Sequence, residues 1–217
     1  MQVVFLGLPG AGKGTQAANI TQDFGIPHIA TGDMFRSAIA AGTPLGKEVQ
    51  GYLDAGLLVP DELTIRVVRE RLQAPDAQNG FLLDGFPRTQ PQAVALDEML
   101  AEISRPLTHV LYLVVSQEEL LSRLTGRRVC KKCGASYHVI FNPSRVENVC
   151  DRCGGELITR PDDEPKAVAV RLRENMQRTE ELAAFYAARG LLAKIDGEQP
   201  IGHVYDEIWR TLRGETK

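Results

Sequence analysis

Gly7-Leu-Pro-Gly-Ala-Gly-Lys-Gly-Thr15 sets the architecture of this chain of 217 residues. Gly7, Gly12 and Lys13 satisfy the spacing G-x-x-x-x-G-K of a phosphate-binding loop. Upstream, Gln2-Val-Val-Phe-Leu6 is a short run of strand formers; downstream, Gln16-Ala-Ala-Asn-Ile20 has the make-up of a helix. A glycine loop between strand and helix turns successive N–H groups toward one point. The helix N-terminus adds positive potential there, and Lys13 adds a full charge. The ligand implied is a nucleoside triphosphate. Gly14 stands where such loops carry a magnesium-binding hydroxyl, with Thr15 one residue later, so direct hydroxyl ligation of Mg²⁺ is not indicated.

Outward from the loop, short apolar runs alternate with helical patterns. Residues 2–6, 26–29, 81–84, 109–115 and 191–195 are expected as strands, and 13–24, 61–73, 89–103, 116–125, 164–188 and 201–213 as helices. Strands spaced by helices predict an α/β fold, a parallel sheet covered on both faces in the manner of P-loop NTPases. In the longest helix, Val168, Leu172, Met176, Thr179, Leu182 and Tyr186 form a stripe expected to pack in the core. Ser116 with Glu119, and Thr89 with Gln92, have capping-box spacing. Two stretches break the alternation. Residues 30–59 hold two helical pieces split at Gly42-Thr-Pro44, and residues 126–163 hold all four cysteines. Both are expected to leave and rejoin the core at the sheet edge where ligands bind.

The net charge of −3 supplies no global basic field, which argues against a nucleic-acid partner but not against small anionic ligands. No apolar run approaches the ~20 residues of a membrane span, so no membrane partner is expected. The chain starts on a strand without a basic leader, which predicts an intracellular, cytoplasmic protein. Residues 214–217 are expected to fray.

Cys130-Lys-Lys-Cys133-Gly and Cys150-Asp-Arg-Cys153-Gly repeat the form C-x-x-C-G, a spacing that matches a four-thiolate zinc site. Four thiolates close a tetrahedron and leave no position for water, so the zinc would be structural. Iron suits the same donors. Two disulfides or four free thiols are the alternatives, and disulfides suit an intracellular chain poorly. His138 lies between the pairs and is expected as an ordinary loop histidine.

Phe81-Leu-Leu-Asp84-Gly85-Phe86-Pro87-Arg88 is an apolar strand ending in an aspartate, as in elements that organise Mg²⁺ beside a phosphate loop. The Gly85–Pro87 turn would aim Arg88 into the ligand crevice. Gln92 can cap a helix or read an adenine edge. Arg123, Arg127 and Arg128 precede the cysteine stretch, Arg160 closes it and Arg171 follows, and Asp162 and Asp163 could latch onto such arginines.

Together with Thr31-Gly-Asp-Met-Phe-Arg36, Gly126-Arg-Arg128 and Arg160-Pro-Asp-Asp163, these motifs resemble the bacterial adenylate kinases, in the variant whose long lid carries zinc. The resemblance covers essentially the whole chain. It implies a core (1–29, 60–125, 164–217), a nucleoside-monophosphate-binding insertion (30–59) and a lid over ATP (126–163). It implies ATP contacts at Gly10, Ala11, Gly12, Lys13, Gly14, Thr15, Arg123, Arg127, Ser136, Tyr137 and Gln199. It implies AMP contacts at Thr31, Arg36, Leu57, Leu58, Val59, Gly85, Phe86, Pro87, Arg88, Gln92, Arg160 and Arg171. The implied reaction is ATP + AMP ⇌ 2 ADP with Mg²⁺, in a monomer. Lys13, Arg88, Arg123, Arg160 and Arg171 would hold charge during transfer, and Asp84 would organise water-ligated magnesium. The acceptor phosphate is already ionised, which accounts for many arginines and no general base. Alternatives are a kinase for UMP, CMP or GMP, an ATP-driven switch with no acceptor, and a cysteine ribbon that docks nucleic acid or a partner.

Overall fold

The computed structural model describes residues 1–215; Thr216 and Lys217 of the expected frayed tail lie outside the described residues. In chain order the elements begin with β1 (Gln2–Leu6), α1 (Lys13–Phe24), β2 (His28–Ala30), α2 (Thr31–Ala40), α3 (Pro44–Asp54), α4 (Asp61–Leu72), β3 (Phe81–Asp84) and α5 (Gln90–Glu102). They continue with β4 (His109–Val114), α6 (Gln117–Thr125), β5 (Arg127–Cys130), β6 (Ser136–His138), β7 (Leu157–Ile158), α7 (Pro165–Ala187), β8 (Leu192–Asp196) and α8 (Ile201–Leu212).

The central sheet has five parallel strands in the order β2-β3-β1-β4-β8. β1 shows why its residues make a central strand. Val3 and Phe5 belong to one apolar cluster, Val4 and Leu6 to the other, and each cluster is roofed by helices. A parallel strand buried on both faces reads as an unbroken apolar run for this reason. β2 starts two residues after its apolar run does. Pro27 has no N–H for a ladder, though its carbonyl accepts from the Leu82 N–H at 3.0 Å. Loops after β1, β2, β3, β4 and β8 meet at the carboxyl edge of the sheet, and this edge carries the site.

Two local expectations give way. The Ser116 hydroxyl makes no cap bond. Glu119 is engaged by Arg123 one turn on (2.8 Å), and the Ser116 N–H donates instead to Glu198 Oε1 (2.6 Å). A charge-assisted bond outcompetes the neutral cap. Met176 leaves the core stripe of α7 and is exposed, while Asn175 is buried in its place. Steps of three and four from Leu172 reach both 175 and 176. Asn175 can be buried because its Nδ2 donates to the Arg171 carbonyl (2.6 Å).

Residues 31–54 form two helices around a small cluster of Phe35, Val49, Val59 and Leu63. Residues 127–158 form a three-stranded antiparallel sheet, β6-β5-β7, whose short strands carry no alternation that would announce them.

Candidate active site

The phosphate loop turns around its own lysine. Lys13 Nζ donates to the carbonyls of Gly7 (2.8 Å) and Leu8 (3.0 Å). Gly12 adopts φ +93°, in the left-handed region open to glycine, and Cβ atoms built at Gly12 or Gly14 would meet nothing within 4 Å. The loop thus leaves room beside the N-terminus of α1, where a phosphate is favoured. Desolvation brings the Lys13 ammonium down to about 8; Asp84 opposes this, and Arg88, Arg171 and Arg127 add to it. An ammonium among guanidiniums favours an anion. Asp84 stands at the end of β3 with its Oδ2 3.4 Å from His28 Nε2. Burial would raise the Asp84 carboxyl, but the His28 contact and the Lys13 charge outweigh it and hold the group ionised.

Next to the loop, a cleft is lined by Thr31, Arg36, Leu57, Leu58, Val59, Gly85, Arg88, Gln92 and Arg171 among others. The Gly85 carbonyl is its hub, accepting from Thr31 Oγ1 (2.9 Å) and Arg88 Nε (2.8 Å). Gln92 does cap, though one residue early: its Oε1 accepts from the Arg88 N–H (2.8 Å), and Thr89 Oγ1 accepts from the Gln92 N–H (3.3 Å). Gln92 Nε2 and the Thr89 hydroxyl both donate to the Asp61 carboxylate, at 2.7 and 2.8 Å. Arg88 therefore rises from a fully braced corner, after a cis Phe86–Pro87 bond. Phe86 and Val59 turn their side chains into apolar clusters, so only their backbones can face a ligand.

Between the two sites the arginines share three aspartates. Arg127 grips Asp163 through both ends of its guanidinium, with Nε to Oδ2 at 2.7 Å. Arg171 Nη1 lies 3.1 Å from carboxylate oxygens of both Asp162 and Asp163. Arg36 and Arg160 meet at Asp33, at 2.6 and 3.5 Å, and Arg160 Nε is buried without a partner. Burial pulls both Arg88 and Arg160 down to about 10 and lowers Arg171 as well. Water has been removed from these cations, and the three carboxylates do not offset them all. Arg123 stands apart. It donates to Glu119 and to the Gly197 carbonyl (2.9 Å), against the loop that carries Gln199. Arg127, four residues on, turns instead toward Asp163 beside α7. The Gln199 side chain donates to Glu207 (2.9 Å) and the Asp196 carbonyl (3.3 Å). Arg128 binds only nearby carbonyls, those of Arg127 and Thr125.

In the antiparallel sheet the four cysteines are free and bring their sulfurs within 4.8 Å of one another. Cys130–Cys153 and Cys133–Cys150 lie at 3.5 and 3.6 Å. A disulfide needs about 2.05 Å; a tetrahedron of thiolates about a metal with 2.3 Å bonds needs edges of about 3.8 Å. The donor set thus fits a four-coordinate soft metal. Tyr137 faces inward, its hydroxyl 3.5 Å from Cys150 Sγ and accepting from the Asp151 N–H (2.8 Å), while Ser136 is exposed on the other face. The phenol of Tyr137 is therefore committed to the thiol cluster, which leaves its backbone to any ligand. His138 is no loop histidine; it is buried at the end of β6.

The adenylate kinase pattern matches residues 5–191. The chain is 56% identical over 208 residues, 96% of each chain, to a protein of Lysinibacillus sphaericus named adenylate kinase. Proteins of that name from Bacillus licheniformis and Bacillus subtilis are 54% and 51% identical over 217 residues, the full length of each. The chain belongs to the adenylate kinase family. In this adenylate kinase fold, four supporting residues escaped the sequence analysis: Asp61, Asp33, His28 and Asn175. Each acts on a residue distant in sequence or within one helix turn; Asp33 lies inside the Thr31–Arg36 motif without being singled out there, and the other three sit in no motif. Asp61, at the start of α4, had a helix N-terminus as its sufficient explanation. Among the described residues no helix is long and apolar enough to cross a membrane.

Proposed function

We infer that two nucleotides bind end to end, ATP on the loop at 7–15 beneath residues 126–163 and AMP in the cleft bounded by residues 30–59. As a member of its family the chain is a kinase that transfers a phosphoryl group from ATP to AMP, reversibly, giving two ADP. The observation that supports the arrangement is the convergence between loop and cleft of five largely buried cations, Lys13, Arg88, Arg127, Arg160 and Arg171. Phosphate oxygens entering there would replace Asp162 and Asp163 as partners of the guanidiniums. Lys13 and the loop N–H groups hold the transferring end of ATP, with Gly10 to Thr15 around it. Arg88 and Arg36 hold the AMP phosphate. Arg127, Arg160 and Arg171 take up the charge of the passing phosphoryl group, and alignment supplies the rest. The AMP oxygen is already ionised, so no side chain needs to remove a proton. Arg123 contacts ATP and adds charge during transfer, the backbone at Gln199 serves the ATP base, and Gln92 and Asp61 position Arg88.

Magnesium, when bound, neutralises and orients the phosphates; Asp84, kept ionised by His28 and Lys13, would hold its waters. Cys130, Cys133, Cys150 and Cys153 would hold zinc as a structural ion. Both half-sites come from one chain, which supports a monomer, and unpaired thiols support a reducing, cytoplasmic setting. A coupled assay with AMP, UMP, CMP and GMP as acceptors tests the reading. AMP is expected to be fastest; equal rates with all four, or ATP hydrolysis indifferent to AMP, would overturn it.

A further inference from the structure

His138 joins three pieces of chain at the root of the lid. Its Nδ1 accepts two backbone N–H bonds, from Ile140 (3.0 Å) and Phe141 (3.2 Å). Its Nε2 lies 3.4 Å from the Ser122 carbonyl near the end of α6. An N–H can only donate and a carbonyl can only accept, so these contacts require a neutral ring protonated at Nε2. Gly126, between α6 and β5, leaves the room: a Cβ there would fall 2.3 Å from Nε2. The Phe141 ring packs on the imidazole with centroids 4.5 Å apart. Burial does not hold the turn, since Val139, Ile140 and Phe141 are at least half exposed. The His138–Asn142 backbone pair closes it (2.9 and 3.3 Å), and the imidazole, together with the Val139 N–H bond to the Gly126 carbonyl (3.0 Å), ties it to the root of the lid. Directly across the ladder from His138 stands Arg127.

The geometry points to His138 as a positioning residue, whose neutral imidazole pins the 139–142 turn and β6 to the end of α6 and thereby aims Arg127 at the ATP phosphates. The aim at ATP rests on the function proposed above; the pin does not. Protonation at Nδ1 would set a third N–H against two others and break the pin. The charged neighbours are Arg123 and Glu119 on α6 and Arg128 on β5. Burial chiefly, then the two arginines, hold this imidazole below its ordinary range, against the Ser122 carbonyl and Glu119. The folded chain thus binds a proton less readily than the unfolded one. The pin is intact above the ordinary histidine value of about 6.5 and weakens as pH falls below it.

The test uses the full-length, metal-loaded chain. Nitrogen NMR of the parent should show the ring protonated at Nε2 alone at pH 7; a proton on Nδ1 there would overturn the pin whatever the nucleotides do. His138→Ala should raise KM for ATP by about tenfold, with KM for AMP within about twofold, as expected for lost hydrogen bonds that act on one substrate. His138→Asn, which keeps an acceptor near Nδ1 but cannot take a proton, should recover most of that loss and remove the acid limb of KM for ATP. An equal rise for both substrates, no rise, or an acid limb that survives in His138→Asn would contradict the proposal. Arg127→Ala and Arg88→Ala, assayed alongside, report separately on the assignment of the two nucleotides.

Discussion

The two insertions do similar work with different means of cohesion. Residues 30–59 bring their own apolar stripe: Phe35, Val49 and Val59 pack with Leu63, and Thr43 caps α3 through the Gly46 N–H (3.0 Å). Residues 126–163 have no comparable stripe. Their cluster is Cys130, Ala135, Tyr137, Cys150 and Leu157, and two of its members belong to the four-cysteine group proposed to hold zinc. Val139, Ile140, Phe141 and Val146 stay exposed. A helical pair can bury one face and close on itself; a short three-stranded ribbon cannot, and it requires a cross-link. The clamp should therefore respond to packing changes, and the lid to loss of its ion.

Metal removal should separate them most. Structural zinc contributes on the order of 10 kcal/mol to such small domains. A chelator, or Cys150→Ser, should abolish amide-exchange protection across 126–163 and leave that of 31–54 intact. Equal loss in both, or in neither, would mean the lid does not depend on its thiol cage.

The arginines sharpen the same contrast in kinetics. Arg88→Ala and Arg127→Ala should each reduce kcat/KM by roughly 10³-fold or more, as for other arginines at transferring phosphates. The KM increase should fall on AMP for Arg88 and on ATP for Arg127; activity within about tenfold of the parent would remove either residue from the catalytic set.

Alkaline pH should act on the ATP side alone. In the nucleotide-free chain burial brings Lys13 from 10.5 to about 8. Its folded value lies below its unfolded value, so the charged lysine disfavours the fold at neutral pH, and that cost fades as pH rises from about 8 toward 10.5. Binding runs the other way, because phosphate needs the ammonium. Affinity for ATP should fall by about tenfold per pH unit above this value, with AMP little changed over the first unit. A pH series of both affinities checks this.

The smallest effect is expected from Val49→Ala, a cavity inside the clamp costing about 2 kcal/mol. It should loosen exchange protection in 31–54 and raise KM for AMP a few-fold, with KM for ATP unmoved.

Much of this was legible in the sequence because its signals are local. The glycine-lysine loop, the apolar strand ending in Asp84 and the paired C-x-x-C units each carry their meaning within a few residues, and the strand–helix alternation around them gave the parallel sheet. What the sequence hid depends on chain crossings. Arg123 and Arg127 are four residues apart and equally basic; only the turn from α6 into β5 sends one to Gly197 and the other to Asp163. Tyr137 and Ser136 are neighbours on opposite faces of a strand whose register no pattern announced. Asp61 meets Gln92 only because α4 packs beside α5. Met176 is apolar and correctly spaced, yet Asn175 takes the buried position.

The central claim is that one chain holds two nucleotides with their phosphates facing across the arginine cluster. Calorimetric titration with two adenosines joined through five phosphates tests it most directly. One molecule per chain, bound far more tightly than either ATP or AMP, is the predicted result. Affinity no better than that of ATP, or two molecules per chain, would contradict it.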